Sequence, residues 1–214
     1  MPPHTTYIET HLGGGAVMRN KKAAARSYGL DLDSSVIERW RSLHPSICTL
    51  MQTDAVTFLQ SFDFTGRELV YADPPYVTAT RRRSKIYRHE YDDRDHEQLL
   101  QVLLGLPCMV IISGYENAIY RRLLTGWKQR SFSAMTHAGL RTECVWFNFE
   151  PPLELHDAAF LGTTFRERQS IKRRHERLLD RFERMNPIER HHALQVLNAK
   201  FGSEMHSGLL EVAT

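Results

Sequence analysis

Residues 68–76 read ELVYADPPY, a β-prone run that ends in an acidic, proline-rich corner. The first five residues favour a buried strand, whereas Pro74 and Pro75 cannot donate the backbone hydrogen bonds of a sheet. The prolines fix the backbone and expose the Pro74 carbonyl between the carboxylate of Asp73 and the flat ring of Tyr76. Two acceptors beside a stacking surface predict a corner that binds an aromatic amine.

On both sides of this corner, short β-like runs alternate with helical patterns. The runs that we predict as strands are TYIETHL (6–12), SYGLDLD (27–33), ICTLMQTD (47–54), ELVYAD (68–73) and CMVIISGY (108–115). The helices that we predict between and after them cover residues 34–43, 55–60, 93–104 and 117–124. Ser34 is a candidate N-cap of the first helix. This alternation predicts an α/β fold with a doubly wound sheet.

The texture of the sequence changes toward its C-terminal end. WKQRSFSAM (127–135) and LRTECVWFNF (140–149) follow each other across THAG and predict a hairpin, which adds an antiparallel C-terminal strand to a mostly parallel sheet. Beyond it, helical patterns cover 164–185 and 188–201. We therefore expect a sheet domain at residues 1–150, and at 151–214 a linker followed by a basic helical hairpin.

The composition is that of a globular protein with clustered positive charge. Of the 214 residues, 42% are hydrophobic, and the formal net charge is +3. The cations gather in RRRSKIYRH (81–89) and RERQSIKRRHERLLDRFERM (166–185), which favours a polyanionic partner. The three cysteines lack metal-site spacing, and no run has signal-peptide or membrane-spanning character. We expect reduced thiols, no metal, no membrane and a cytoplasmic location.

Three other strand ends carry residues suited to a nucleotide ligand. The first predicted strand runs into Gly13–Gly15, which permit a tight turn and close approach of a ligand, although a plain loop explains them equally well. Asp31 ends the second strand, where an acid can accept hydrogen bonds from a ribose. Asp54 ends the third strand. Asp33 and Asp54 also fit an alternative role as helix N-caps.

Together these stretches resemble the Dam-type, alpha-class family of S-adenosyl-methionine-dependent DNA adenine-N6 methyltransferases, whose sheet is Rossmann-like. The similarity covers Tyr7 to Phe149, and DPPY (73–76) is its most specific motif. ETHLGGGAV (9–17) is similar to the family's glycine-rich loop, with Thr10 and His11 in place of the usual Pro-Phe. The resemblance is to a compact form without the usual N-terminal segment and inserted target-recognition domain.

The resemblance implies a role for each strand end. The cofactor-binding residues would be Glu9, Gly13 and Gly15 for the methionine part of S-adenosyl-methionine, Asp31 for its ribose and Asp54 for its adenine amino group. The residues that hold the target adenine, flipped out of double-stranded DNA, would be Asp73, Pro74, Pro75 and Tyr76.

Contacts to DNA are expected mainly from the loop that follows the corner. The cations of this loop are Arg81, Arg82, Arg83, Lys85 and Arg88. Phosphate contacts fix position but read few bases, so we expect a short or relaxed target site. For the helix at 164–185, a solvated charged face is an equally good interpretation. An RNA exocyclic-amine methyltransferase and a catalytically impaired nucleic-acid-binding module are the alternative functions.

Overall fold

The structure, a computed structural model, describes residues 1–77, 88–136 and 139–210. The chain divides into two compact units. The sheet unit is His4–Pro151, and the helical unit is Met1–Pro3 together with Pro152–Thr214.

Seven strands of the sheet unit form one sheet. They are β1 (Thr6–Glu9), β2 (Arg26–Asp31), β3 (Thr49–Gln52), β4 (Glu68–Ala72), β5 (Met109–Gly114), β6 (Lys128–Thr136) and β7 (Gly139–Phe147). Their order is β3-β2-β1-β4-β5-β7-β6, and β7 runs in the direction opposite to the other six strands. The predicted doubly wound, mostly parallel sheet with an antiparallel C-terminal strand is confirmed. Because β4 pairs with β1, the proline corner lies beside the glycine loop.

Helices connect the parallel strands. They are α1 (Ala16–Asn20), α2 (Ser34–Leu43), α3 (Ala55–Ser61), α4 (Asp93–Leu104) and α5 (Ala118–Leu123). The helical unit contains a 3-10 turn at Ala158–Phe160, then α6 (Phe165–Arg184) and α7 (Pro187–Leu210).

Three helix predictions need correction. Ser34 is wrong as the N-cap of α2, because Asp33 has the extended backbone of a cap and its Oδ1 accepts a hydrogen bond from Ser35 N at 2.8 Å. α1 was not predicted, since five residues are too few for a visible helical period. α7 extends past its predicted end at Phe201, because Gly202 lies inside the helix instead of ending it.

The central strands are buried in the core of the sheet unit. β1 is buried along its whole length, as expected for a parallel strand covered on both faces. Ile8 and Val70 pack on one face into a cluster that includes Leu99, Leu100 and Leu103 of α4, each with 0% exposure. Burial of one such leucine contributes roughly 1.5–3 kcal/mol. This packing holds the carboxyl ends of the strands in fixed relative positions.

Three findings on the described residues concern membrane-spanning helices, metal-binding groups and the cysteines. Within residues 1–77, 88–136 and 139–210, no helix is long and apolar enough to cross a bilayer. Across the same residues, no group of three or more His, Cys, Asp or Glu side chains is placed to hold a metal ion. Cys48, Cys108 and Cys144 are free thiols; the latter two are buried and Cys48 is half-buried.

Candidate functional site

A cavity of about 180 Å³ opens at the carboxyl ends of β1, β2, β3 and β4. Six of the predicted residues line it, namely Gly13, Asp31, Asp54, Asp73, Pro75 and Arg88. The convergence of these strand ends is what a doubly wound sheet provides on both sides of its switch in strand order. Among the described residues, Glu9, Gly15, Pro74 and Tyr76 do not line this cavity.

The glycine loop is fixed by backbone hydrogen bonds and by one tryptophan. Gly13 N donates to Asp31 Oδ2 at 2.8 Å, and Trp40 Nε1 donates to Gly13 O at 3.0 Å. Gly13 has a φ of +44°, and a Cβ there would meet no atom within 4 Å. Gly15 has a φ of +57°, and a Cβ there would lie 2.0 Å from Cζ2 of Trp40. Gly13 therefore leaves open space beside its Cα for a ligand, whereas Gly15 is required for packing.

Asp31 joins the loops that follow β1 and β2. Its Oδ2 accepts from Gly13 N, and its Oδ1 accepts from Asp33 N at 2.9 Å. An ionised carboxylate has about four lone-pair positions, so two backbone donors leave acceptor capacity for a ligand hydroxyl. The half-buried side chain lies in the cavity wall, where a ribose could reach it.

The sequence left two roles open for Asp54, and the structure establishes one of them. It is the N-cap of α3, where its Oδ1 accepts from Thr57 N at 2.8 Å and from Thr57 Oγ1 at 3.0 Å. The capping interpretation is therefore correct. Asp54 also lies in the cavity wall, and its cofactor-binding role remains a prediction.

Glu9 is a buried acid beneath the loop. Tyr7 OH donates to Glu9 Oε2 at 2.9 Å, and the Glu9 residue is 2% exposed. Burial raises the pKa of Glu9 to about 7; Asp73 adds to the increase, while the Tyr7 hydrogen bond, the Met18 backbone and Lys21 oppose it. Burial also lowers the pKa of Lys21 to about 8, against the pull of Glu9.

Asp73 accepts a hydrogen bond from a serine that the sequence did not predict. Ser113 Oγ donates to Asp73 Oδ1 at 2.9 Å, and Tyr71 OH is 3.0 Å from Ser113 Oγ. Because Ser113 has a single hydroxyl proton, donation to Asp73 requires Tyr71 to donate to Ser113. Burial raises the pKa of Asp73 and Glu143 adds to this, whereas hydrogen bonds from Ser113 and Tyr76 lower it. Ala72 pairs with Ile112, which brings Ser113, one residue farther along β5, next to Asp73.

The ring of Tyr76 stands against other side chains of the sheet unit. Its centroid lies 4.5 Å from that of Tyr115, with an interplanar angle of 61°. The guanidinium of Arg141 on β7 lies 5.0 Å from the centroid of Tyr115. Such an edge-to-face pair holds Tyr76 in one orientation. Neither Tyr115 nor Arg141 was predicted, because their proximity depends on the pairing of β5 with β7.

Thr10 and His11, where the resemblance expects Pro-Phe, form a polar wall. His11 Nδ1 is 2.9 Å from Thr10 Oγ1, and His11 Nε2 is 3.0 Å from Tyr91 OH. Burial lowers the pKa of His11 to about 3, so its ring is neutral at physiological pH. His96 is buried in the first turn of α4, where its Nδ1 is 3.2 Å from Tyr120 OH, in agreement with a structural role.

The predicted DNA-binding loop is described only at its end. Arg81, Arg82, Arg83 and Lys85 lie outside the described residues. Arg88 Nη1 is 3.2 Å from Asp33 Oδ1, and its side chain is 69% exposed. An exposed pair of this kind is screened by solvent and contributes little to stability, so a phosphate could replace the carboxylate.

No protein-family model matches the chain, and no curated protein matches its sequence. Solved structures of similar shape include the N-methyltransferase NodS from Bradyrhizobium japonicum WM9, with a TM-score of 0.48, 12% identity, and 70% of this chain and 88% of that chain covered. Magnesium protoporphyrin IX methyltransferase from Synechocystis PCC 6803, with bound SAM, has a TM-score of 0.45 and 15% identity, with 69% of this chain and 71% of that chain covered. An rRNA methylase from Streptococcus thermophilus has a TM-score of 0.44 and 11% identity, with 69% of this chain and 88% of that chain covered. The fold assignment above rests on the strand order itself.

Proposed function

We propose that the chain transfers a methyl group from S-adenosyl-methionine to the N6 amine of an adenine flipped out of duplex DNA. One observation carries this proposal: Asp73 and Pro75 of the proline corner line the same cavity as Gly13, Asp31 and Asp54. An acceptor corner for an amine thus lies beside a glycine loop and two acids suited to a nucleoside.

The residues of the cavity fit the cofactor. Gly13 leaves space beside its Cα for the methionine part, Asp31 has unused acceptor positions for the ribose, and Asp54 can accept from the adenine amine. A second depression of about 390 Å³ shares Leu32, Asp54, Arg88, His89 and Tyr91 with the cavity, which gives a nucleoside room to extend. When bound, S-adenosyl-methionine supplies an electrophilic methyl group on its sulfonium.

The corner would activate the amine by accepting its hydrogen bonds. Asp73 accepts hydrogen bonds from Ser113 and Tyr76, and a carboxylate has about four lone-pair positions, so it can still accept one N–H of the adenine amine while the Pro74 carbonyl accepts the other. These bonds localise the amine lone pair on N6, which is otherwise delocalised into the ring. Tyr76 would stack on the base. N6 would attack the methyl carbon as the sulfonium S–CH3 bond breaks, and S-adenosyl-homocysteine would leave. The cationic N6 would then lose a proton to water, so the chain need not supply a strong base.

Replacement of Asp73 by alanine tests the proposal. Methyl transfer to an adenine-containing duplex should fall by ~100-fold or more, because preorganised hydrogen bonds at a reacting atom have effects of that size. S-adenosyl-methionine affinity, measured by calorimetry, should stay close to that of the unmodified chain. Asp63→Ala removes an exposed acid outside the cavity and serves as the matched control.

Two outcomes would favour the alternatives. If structured RNA were methylated in preference to duplex DNA, the enzyme would be an RNA exocyclic-amine methyltransferase. If the unmodified chain bound no S-adenosyl-methionine, it would be a nucleic-acid-binding module. Near-normal turnover of Asp73→Ala would refute the role of the corner itself.

A further inference from the structure

One side of α6 carries a row of arginines that has no part in the proposed methyl transfer. Arg166, Arg173, Arg177 and Arg184 are all exposed. They are separated by about two, one and two helical turns, which places them within roughly 40° of one another around the helix axis. The row is about 27 Å long at the rise of an α-helix.

Of the four acidic residues of α6, Glu167 and Glu176 have partners away from this row, and Glu183 lies on another side of the helix. Glu167 Oε2 accepts from Thr163 N at 2.7 Å and from Thr163 Oγ1 at 2.6 Å. Glu176 Oε1 is 3.8 Å from Lys172 Nζ, and only Asp180 lies at the edge of the row. Within residues 1–77, 88–136 and 139–210, none of the four guanidinium groups of the row forms a salt bridge.

The row borders a shallow groove of about 400 Å³ on the helix surface. Its lining consists of Phe165, Arg166, Gln169, Ser170, Arg173 and Arg177. Arginine presents a planar fork of donors that matches two phosphate oxygens at once, and Gln169 and Ser170 add neutral donors. Four arginines and two neutral donors outnumber Asp180, the carboxylate at the edge of the row, and such a surface suits a phosphate backbone.

A membrane surface is the competing partner for a helix of this kind. Leu178 and Leu179 lie on the side of α6 away from the row, 53% and 61% exposed, and basic amphipathic helices can lie on anionic lipid. The composition of the row favours nucleic acid, because all four of its cations are arginine, while Lys172 lies elsewhere on the helix.

We propose that the arginine row of α6 binds the phosphate backbone of duplex DNA without sequence preference. The choice of DNA rests on the proposed function, whereas the polyanion-binding surface itself does not. Such contacts hold a duplex on the protein and leave the selection of a base to other residues.

The test measures the salt dependence of binding with the full chain. Arg173→Gln/Arg177→Gln removes two charges from the row, and Lys172→Gln/Lys200→Gln removes two charges from other exposed positions of the helical unit. Each phosphate contact contributes about 0.9 to the slope of log affinity against log salt. Between 50 and 200 mM salt, the affinity of the unmodified chain for a fluorescent duplex should therefore fall about tenfold more than that of the row variant. The control variant should keep the slope of the unmodified chain.

The other outcomes separate this surface from the methyl-transfer site. Equal slopes for the row and control variants would overturn the inference, as would binding to phosphatidylserine vesicles with no binding to the duplex. A steeper response to duplex RNA than to duplex DNA would overturn the choice of DNA. Calorimetric titration of S-adenosyl-methionine should be unchanged in the row variant. A chain that fails to bind or use S-adenosyl-methionine, yet shows the slope difference, would refute the proposed function and leave the surface intact.

Discussion

Replacement of Gly15 by alanine should destabilise the sheet unit far more than the same replacement of Gly13. Both glycines have a positive φ, +57° at Gly15 and +44° at Gly13, so both substitutions place a Cβ in the left-handed region. That strain costs about 1–2 kcal/mol at either position. Only at Gly15 does the new Cβ collide with a neighbour, because it would lie 2.0 Å from Cζ2 of Trp40.

The tryptophan cannot move aside without further cost. Trp40 is 2% exposed, and its Nε1 donates to Gly13 O at 3.0 Å. Overpacking of a filled site costs typically 1–3 kcal/mol, so Gly15→Ala should lower the free energy of unfolding by about 2–5 kcal/mol in total. Gly13→Ala meets no atom within 4 Å and should lose about 1–2 kcal/mol.

Urea denaturation monitored by tryptophan fluorescence measures both losses, with the unmodified chain as reference. The two variants share the same backbone strain and the same added methyl group, so the difference between them isolates the contact with Trp40. Equal destabilisation of the two variants would show that the collision does not exist and that Gly15 is not held by packing.

Two other changes concern buried groups of the site. Burial raises the pKa of Glu9 from 4.5 to about 7. The contribution of Glu9 to stability is therefore fully present below pH 4.5 and is lost as the pH rises toward 7. Glu9→Gln should remove that decline of roughly 3 kcal/mol and be the more stable chain at pH 8 in urea titrations. A steeper decline in the variant would contradict the burial of Glu9. Ser113→Ala removes a hydrogen bond that lowers the pKa of Asp73. The acidic limb of the pH-activity profile should therefore move to higher pH. An unmoved limb would show that Asp73 does not need that donor.

The sequence was sufficient for the order of elements and for the strand ends, and insufficient for contacts between them. Asp31, Asp54 and Asp73 could be predicted because each acid follows an apolar run, and the ends of parallel strands meet at one edge of the sheet. The role of Gly15 could not, since it depends on Trp40, which reaches the loop from α2. Ser113 was missed for the same reason, because its proximity to Asp73 arises only from the pairing of β4 with β5.

The central place of β1 also sets the order in which this chain can fold during synthesis. β1 ends at Glu9, yet its second neighbour β4 ends only at Ala72, so one edge of the first strand stays without its partner until that much more of the chain has emerged. Pairings between distant segments form slowly because the intervening loop must close first. A nascent chain that stops short of β4 therefore exposes an apolar strand edge, which is a template for aggregation or for chaperone binding.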